Sequence, residues 1–345
     1  MSINDSFPGL SNLASDHSSS GENLIFLISQ PRAGSTMLQR ILATHPEIHT
    51  LSEPWLMLHP LYPLVEAEEY RADYDPTPAL ARKATREFIA NLNCGEEEYL
   101  YAVRHTYGLL YHKVLANTAK RYFLDKTPRY YLVVPALHRT FPAAHYIILM
   151  RNPLAVLCSI VNTWVTGRWS RLKQYRLDLI KAPFLLVRAT TFLATQGLRV
   201  SYEKLLSNPE WEVKRICQWI GIQFNPKMVE YGEARLPQWS LGDQGEVYQH
   251  SAPAPDKGDR WLEVLKDAQT WRVANDYLHF LGEDTVSQMG YSYDELQSLL
   301  ISHRPNSIRL RFTTSLEKLL HIRAKAESRA APREDAIHRD RTGNM

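Results

Sequence analysis

Residues 23–29, Asn-Leu-Ile-Phe-Leu-Ile-Ser, set five apolar side chains in an unbroken row. A strand with one wet face alternates polar and apolar residues. An unbroken row of strand length needs cover on both faces, the mark of a buried parallel strand. "STMLQRILATH" follows, with Met37, Leu38, Ile41 and Leu42 at helical spacing. His45-Pro46 ends that helix, because proline disfavours helix in the residue before it. The arrangement recurs. "AAHYIILMRNP" (143–153) is a second strong strand, and "LAVLCSIVNTW" starts a helix just after it. "GLRVSYEKLLSNPEWEVKRICQWIG" (197–221) reads as strand, turn and amphipathic helix, with Ile216, Trp219 and Ile220 inward. Shorter strands are expected at "EIHTL" (47–51) and at the start of "YFLDKTPRYY" (122–131). Residues 55–120 read as mostly helical, punctuated by Pro60, Pro63, Pro76 and Pro78. Strand-then-helix alternation of this kind implies an α/β fold, a central parallel sheet flanked by helices.

With 345 residues and no internal repeat or dividing linker, one domain over 23–300 is expected. A lead rich in Ser, Asn and Asp (1–22) reads as disordered, and 301–345 as a helical, basic extension. Residues 232–260, rich in Gly, Pro, Asp and Gln, read as a long surface loop. From Ser302 to Met345 there are ten Lys/Arg against five Asp/Glu. Their signs are mixed and no like-charge block forms, so a solvated helix and frayed end are expected, with no nucleic-acid partner. No run approaches the about 20 apolar residues of a membrane span, and the N-terminus lacks a basic-then-apolar signal pattern. Cys94, Cys158 and Cys217 lie far apart without a Cys-x-x-Cys. That argues against a disulfide framework or zinc ribbon and for a reducing cytoplasmic setting. No HExxH or Cys/His cluster is present, and no metal is expected.

The turn after the first strand, Gln-Pro-Arg-Ala-Gly-Ser-Thr (30–36), is richer than a connection needs. A helix N-terminus presents unpaired N–H groups and partial positive charge, a natural anion seat. Gly34 removes a side chain where an anion would approach the backbone. Ser35 and Thr36 offer hydroxyls, and Arg32 a forked cation. The plain alternative is that Ser35 or Thr36 only caps the helix. The chain contains neither a G-x-x-x-x-G-K-[ST] nor a G-x-G-x-x-G pattern. The second strand also ends in a basic residue, Arg151, with Ser159 on the following helix. Two strand ends with an arginine and a nearby hydroxyl suggest two anion sites at one sheet edge, where α/β ligands bind.

"QPRAGSTMLQRIL" resembles the 5′-phosphosulfate loop of sulfotransferases that use 3′-phosphoadenosine 5′-phosphosulfate (PAPS). "YIILMRNPLAVLCSI" resembles their 3′-phosphate motif, with Arg151 and Ser159 at the family's eight-residue spacing. "THPEIHTLSEPW", "FLDKTPRY" and "VSYEKLLSNP" look similar to the bacterial and tyrosylprotein-type branch, and "DKGDRW" to a late cofactor-closing segment. The resemblance runs in family order from about residue 24 to 262. It implies a P-loop-like three-layer fold and in-line sulfuryl transfer from PAPS to a hydroxyl, with no metal required. Residue by residue, it implies that Arg32, Ala33, Gly34, Ser35, Thr36 and Met37 hold the 5′-phosphosulfate. Arg151 and Ser159 would hold the 3′-phosphate, and Tyr202 would lie near the adenine or 3′-phosphate. Lys257, Gly258 and the residues to Arg260 would cover the nucleotide. Lys126 would help stabilise the leaving phosphate. Glu53 in "LSEPW" matches the family's glutamate base, and His59 is the rival base, since other branches use histidine.

Each assignment has a plainer counterpart. Glu53 could cap or pair on a loop, Glu47 could be a local cap partner, and Lys126 could be a surface lysine. Ser159 and Tyr202 could be core residues. Trp55, Tyr62, Trp164 and Trp169 could line an acceptor pocket, or belong to the core or a lid. A P-loop-type kinase is the rival enzyme, opposed by the missing Walker lysine and by Arg151 where an acidic Mg²⁺ ligand is wanted. A non-catalytic nucleotide-binding protein of the same fold is the rival outside catalysis. The acceptor is left open among small alcohol, phenol, sugar, lipid, peptide tyrosine and carrier-bound hydroxyacyl chain, with 55–122 shaping its pocket. Oligomeric state is also left open.

Overall fold

The structure is a computed structural model that describes residues 20–65, 79–232, 241, 249–255, 258–305 and 315–320. Among these, five strands form one parallel sheet: β1 (Leu24–Ser29), β2 (Ile48–Thr50), β3 (Tyr122–Lys126), β4 (His145–Met150) and β5 (Gly197–Ser201). Their order is β2-β3-β1-β4-β5. The register sets Leu24 beside Phe123, Ile25 beside His145, and Tyr146 beside Gly197.

The unbroken apolar row does what its pattern predicts. Leu24, Phe26 and Ile28 of β1 point to one face, and Ile25 and Leu27 to the other, all at most 1% exposed. Helix α1 (Ser35–Ala43) covers the second face through Leu38, Ile41 and Leu42. The short α2 (Leu58–Leu61), α3 (Ala79–Ile89) and α4 (Glu96–Ala116) fill the connection to β3. On the first face α4 meets α5 (Val134–Thr140). The Phe26 ring sits there among Tyr111, Tyr130, Phe141 and Tyr146, at centroid distances between 5.5 and 6.2 Å. Helix α6 (Pro153–Ile160) follows β4, capped by the Asn152 side chain, and α7 (Ala182–Leu193) completes the first layer. The turn expected after β5 is instead a short helix, α8 (Tyr202–Ser207), because the Ser201 hydroxyl caps its first turn. Helix α9 (Pro209–Ile220) buries Ile216 and Ile220 on the second face, while Trp219 is only half-buried at its edge.

A third apolar cluster joins α6 to α10 (Trp261–Val264), α11 (Ala268–Gln288), α12 (Tyr293–Ser302) and α13 (Leu316–Leu320). Leu316 and Leu320 are buried in it, so the chain beyond residue 300 still contributes to a core. Of the expected N-terminal lead, residues 1–19 lie outside the described residues. So do 306–314 and 321–345 of the C-terminal extension and most of 233–248. Among the described residues, no helix is long and apolar enough to cross a membrane.

All strands run the same way, so β1, β3, β4 and β5 end at one edge. From β1 the chain leaves toward β2, and from β4 it leaves toward β5. The crevice between β1 and β4 is therefore the switch point where α/β sheets take ligands.

Candidate active site

At that edge the loop from β1 turns into α1 through two left-handed residues, Arg32 at φ 68° and Gly34 at φ 90°. Gly34 is the N-cap of α1, and no side chain caps it. Ser35 and Thr36 are therefore not the plain caps they could have been. The first N–H groups of α1 have no acceptor within the helix. A Cβ on Gly34 would stand 2.4 Å from two carbons of the Tyr202 ring. Glycine is demanded here twice, by φ and by space.

Arg151, just beyond β4, reaches back to this loop. Its Nη1 donates to the Arg32 carbonyl at 2.8 Å, and its guanidinium lies 4.3 Å from the centre of the Tyr202 ring. Among the described residues, the buried Arg151 Nε has no hydrogen-bond partner. A buried guanidinium donor without an acceptor is costly and waits for an anion. Arg32 Nε donates to Ser159 Oγ at 3.1 Å, tying the loop to α6, and its guanidinium lies over Trp164. Between Arg151 and Ser159, burial lifts the Cys158 thiol to about 12, although Arg151 pulls the other way.

On the β3 side of the loop, Lys126 is fully buried rather than a surface lysine. Its Nζ donates to Glu53 Oε1 at 2.5 Å and to Thr36 Oγ1 at 3.3 Å. Glu53 is nearly buried, and its Oε2 accepts from Trp55 Nε1 at 3.2 Å. Glu53 and Lys126 thus form one buried ion pair whose ammonium touches the first turn of α1. A second pair lies beside it. Arg129 grips Asp178 with two bonds, Nε to Oδ1 at 3.0 Å and Nη2 to Oδ2 at 2.8 Å. Tyr131 donates a third to Asp178 at 2.7 Å, and the Arg129 guanidinium stacks over Trp55.

These groups surround one cavity of about 270 Å³. Arg32, Gly34, Ser35, Thr36, Met37, Glu53, Arg151, Ser159 and Tyr202 all line it. Lys126 reaches it through Glu53 and Thr36. Three other described candidates do not line it. Ala33 is buried in the α6–α11 cluster. His59 is exposed on α2 against Tyr62, so the structure does not bring the rival base to the cavity. Gly258 packs toward Pro255 and Leu206, while Arg260 and Trp261 from the same segment do line the cavity. Lys257 lies outside the described residues. Of the aromatics considered for an acceptor pocket, Trp164 lines the cavity. Tyr62 is in the core, and Trp55 and Trp169 pack partly buried against it.

Several lining residues escaped sequence reasoning. Arg129 stands just past "DK", at the end of a strand that shares the ligand edge, a signal that was there to use. Asn162 and Thr163 are presented, beside the already considered Trp164, by a π-helical turn, Val161–Val165, that continues α6. Such wide turns concentrate at functional sites. Tyr231 and His250 lie on irregular chain and carried no sequence signal.

Comparison with known proteins follows the same stretch of chain. The model of the Sulfotransferase family matches residues 24–226. Nodulation protein NoeE of Sinorhizobium fredii is 27% identical over 292 residues, covering 78% of this chain and 66% of that protein. This chain thus spans just under two thirds of that relative's length. A putative protein-tyrosine sulfotransferase of Caenorhabditis briggsae is 23% identical over 230 residues, 65% of this chain and 74% of that one. Among solved structures, the sulfotransferase domain from the curacin biosynthetic pathway aligns with a TM-score of 0.49 at 18% identity, covering 78% of this chain and 97% of that one.

Proposed function

Because the chain belongs to the sulfotransferase family, we propose that it moves the sulfuryl group of PAPS to a hydroxyl of an acceptor by in-line displacement. The observation that carries this is the convergence on one cavity of two unlike groups: an arginine with an unpartnered buried donor, and a buried carboxylate–ammonium pair. The start of α1 lies between them.

Three features support the fit to such a nucleotide. Among the described residues, Arg151 Nε lacks an acceptor. Gly34 leaves a cradle that any Cβ would fill. Gly34, the N-cap of α1, contributes no side-chain cap to the first N–H groups of the helix. Arg32, Ser35 and Thr36 would hold the phosphosulfate end. Arg151, Ser159 and Tyr202 would hold the 3′-phosphate end, with Arg260 and Trp261 closing over it in place of Gly258. PAPS supplies the activated sulfuryl group on a phosphate leaving group.

The protein's part is positioning and electrostatics, as in phosphoryl transfer. Glu53 takes the proton of the acceptor hydroxyl as its oxygen bonds to sulfur. Lys126 Nζ and the α1 N–H groups face the negative charge that returns to the phosphate oxygen when the S–O bond breaks. The Lys126–Glu53 pair brings base and counter-charge within one hydrogen bond of each other. Glu53 is preferred to His59 as the base because it alone of the two lines the cavity. The acceptor is a hydroxyl compound, small or carrier-bound. The name of the nematode relative supports keeping the tyrosyl hydroxyl among the classes tested.

The test is incubation with sulfur-labelled PAPS, without added metal, and a panel holding a phenol, an aliphatic alcohol, a tyrosyl peptide and a hydroxyacyl thioester. Label should pass to at least one class, be lost in Glu53→Gln and persist in His59→Ala. PAP should raise Tm without Mg²⁺ and ATP should do little. No transfer to any class together with no shift by PAP would overturn the reading.

A further inference from the structure

The residue before Lys126 is absent from the cavity lining, yet it governs the loop that carries Glu53. That loop, 51–57, joins β2 to α2 and passes through Trp55 at φ 55°, a left-handed conformation that tryptophan does not hold unaided. Two of its amides are pinned from outside. Trp55 N donates to Thr127 Oγ1 at 3.2 Å, and Met57 N donates to Tyr130 Oη at 3.1 Å. Both accepting hydroxyls pass their own protons to one carboxylate. Thr127 donates to Asp125 Oδ1 at 3.0 Å and Tyr130 to Asp125 Oδ2 at 2.9 Å. Tyr111 of α4 adds a third donor to Oδ2 at 2.6 Å. Asp125 is 1% exposed.

We propose that Asp125 is a positioning residue that holds Glu53 in place by fixing the direction of the Thr127 and Tyr130 hydroxyl protons. This rests on the reading of Glu53 as the base. A hydroxyl carries one proton, and an ionised carboxylate only accepts. With Asp125 ionised, both protons turn inward, and both hydroxyls present lone pairs to the loop amides. An Asn amide places its NH2 donor either against Thr127 at the Oδ1 site or against both Tyr111 and Tyr130 at the Oδ2 site, so it reverses at least one of the two latch hydroxyls. A reversed hydroxyl must then turn its proton toward the loop N–H or into a place without an acceptor, and either outcome weakens a latch. The carboxyl itself becomes such a donor on protonation.

The neighbours of Asp125 set when that happens. Burial lifts its carboxyl from 3.8 to about 6. The three hydroxyls oppose the rise, and the Glu53 charge adds to it. Burial lifts Tyr111 and Tyr130 well above 10, so neither titrates nearby. Lys126, next along β3, is paired with Glu53. Phe26 and Phe123 pack close by without charge. The sign follows from the raised value. The folded protein binds this proton more tightly than the unfolded chain, so the favourable contribution is complete below about 3.8 and lost as pH rises through about 6. The ionised form that orders the loop is therefore the form that stabilises the fold less. Asn at this position removes the burial penalty of the charge while reversing at least one hydroxyl.

Hydrogen exchange of the loop tests this without needing the acceptor. Asp125→Asn should exchange the Trp55 or Met57 amide about tenfold faster than wild type, the size of one such hydrogen bond. Strand amides and the affinity for PAP should not change. Thr127→Val should loosen Trp55 alone, and Tyr130→Phe Met57 alone. Tyr111→Phe, which removes a hydroxyl that touches no loop amide, should leave both protected. Corrected for intrinsic rates, wild type should show a loss of loop protection as pH falls through about 6, and Asp125→Asn should lack that step. Unchanged loop exchange in Asp125→Asn, or equal loosening by Tyr111→Phe, overturns the proposal. Should Asp125→Asn fail to fold, the two hydroxyl variants and the wild-type pH step decide it alone. Sulfate transfer by Glu53→Gln at the wild-type rate would sink the base assignment while leaving the exchange result to stand or fall separately.

Discussion

The two sides of the α1 N-terminus treat positive charge in opposite ways. On the β3 side each cation has its own carboxylate: Lys126 has Glu53 at 2.5 Å and Arg129 has Asp178 at 2.8 Å. On the β4 side, Arg151 rests on a carbonyl oxygen and an aromatic face, and among the described residues its Nε has no partner. A buried charge that carries its counter-ion is electrically complete, whereas one without it favours an anion from outside. In the function proposed above, the β4 side captures a charged ligand. The β3 side then holds the proposed base and its counter-charge at fixed separation before any ligand arrives.

Substitutions in the Lys126–Glu53 pair should have the largest effect on rate. Glu53→Gln removes the proposed proton acceptor and should cost about 10²–10⁴-fold in transfer, the usual range for a general base. Lys126→Met should lose about 10²–10³-fold, as removal of a preorganised donor does. Affinity for PAP should change little in Glu53→Gln. Arg151→Ala should do the reverse. It should weaken PAP binding while costing the free protein only about 1 kcal/mol, one carbonyl hydrogen bond. Calorimetric titration and single-turnover transfer on the three variants check this. The contrast breaks if Arg151→Ala and Glu53→Gln lower affinity equally.

Asp178→Asn sharpens the contrast through stability. It leaves the Arg129 guanidinium, 13% exposed, without its carboxylate. Breaking a buried pair from one side costs about 3–5 kcal/mol. An unfolding free energy lowered by that amount in a denaturant titration is expected, against a small shift for Arg151→Ala. Equal shifts would mean that the Arg129 pair is solvated and that the two sides do not differ as drawn.

How far such a contrast could be read from sequence depends on where each residue sits. β1 and β4 were legible because an unbroken apolar row has few other uses. Arg32, Gly34 and Arg151 were legible because they stand just beyond the ends of those strands, and Ser159 because it lies on the helix that follows the second; parallel strands share one ligand edge. Asp178 was not. It lies in a π-helical turn, Leu177–Lys181, whose place beside Arg129 is set by packing of α7 and α11. Glu53 and His59 are six residues apart in similar company, and sequence alone could not choose between them. Their separation comes from the anchors at Trp55 and Met57, which turn the loop inward at Glu53 and leave α2 to carry His59 outward. Asp125 was quoted within its motif, but a buried carboxylate satisfied by three hydroxyls has no linear signature.

Gly34→Ala probes the β4 side by a third route. The new Cβ would sit in a left-handed conformation, worth about 1–2 kcal/mol of strain, and 2.4 Å from the Tyr202 ring that lies against Arg151. The ring must shift and take its support from the guanidinium. PAP affinity should fall about tenfold or more, with the Lys126–Glu53 pair untouched. Normal PAP binding by Gly34→Ala would show that Tyr202 has room to move and that the cradle is not closed.

Thiol labelling has the smallest expected effect and reads the dryness of the β4 side directly. A thiol next to a cation ordinarily gains thiolate character. Cys158 lies near Arg151, yet burial outweighs the charge and holds it up to about 12. Burial likewise holds Cys217 at about 11, while Cys94 is exposed. Native protein treated with iodoacetamide at pH 8 should therefore carry label on Cys94 alone by mass spectrometry, with PAP making no difference. Rapid labelling of Cys158 in the free protein, suppressed by PAP, would mean that water already reaches Arg151. The unpartnered Nε would then be hydrated rather than held ready for an anion, and the difference between the two sides would be one of degree.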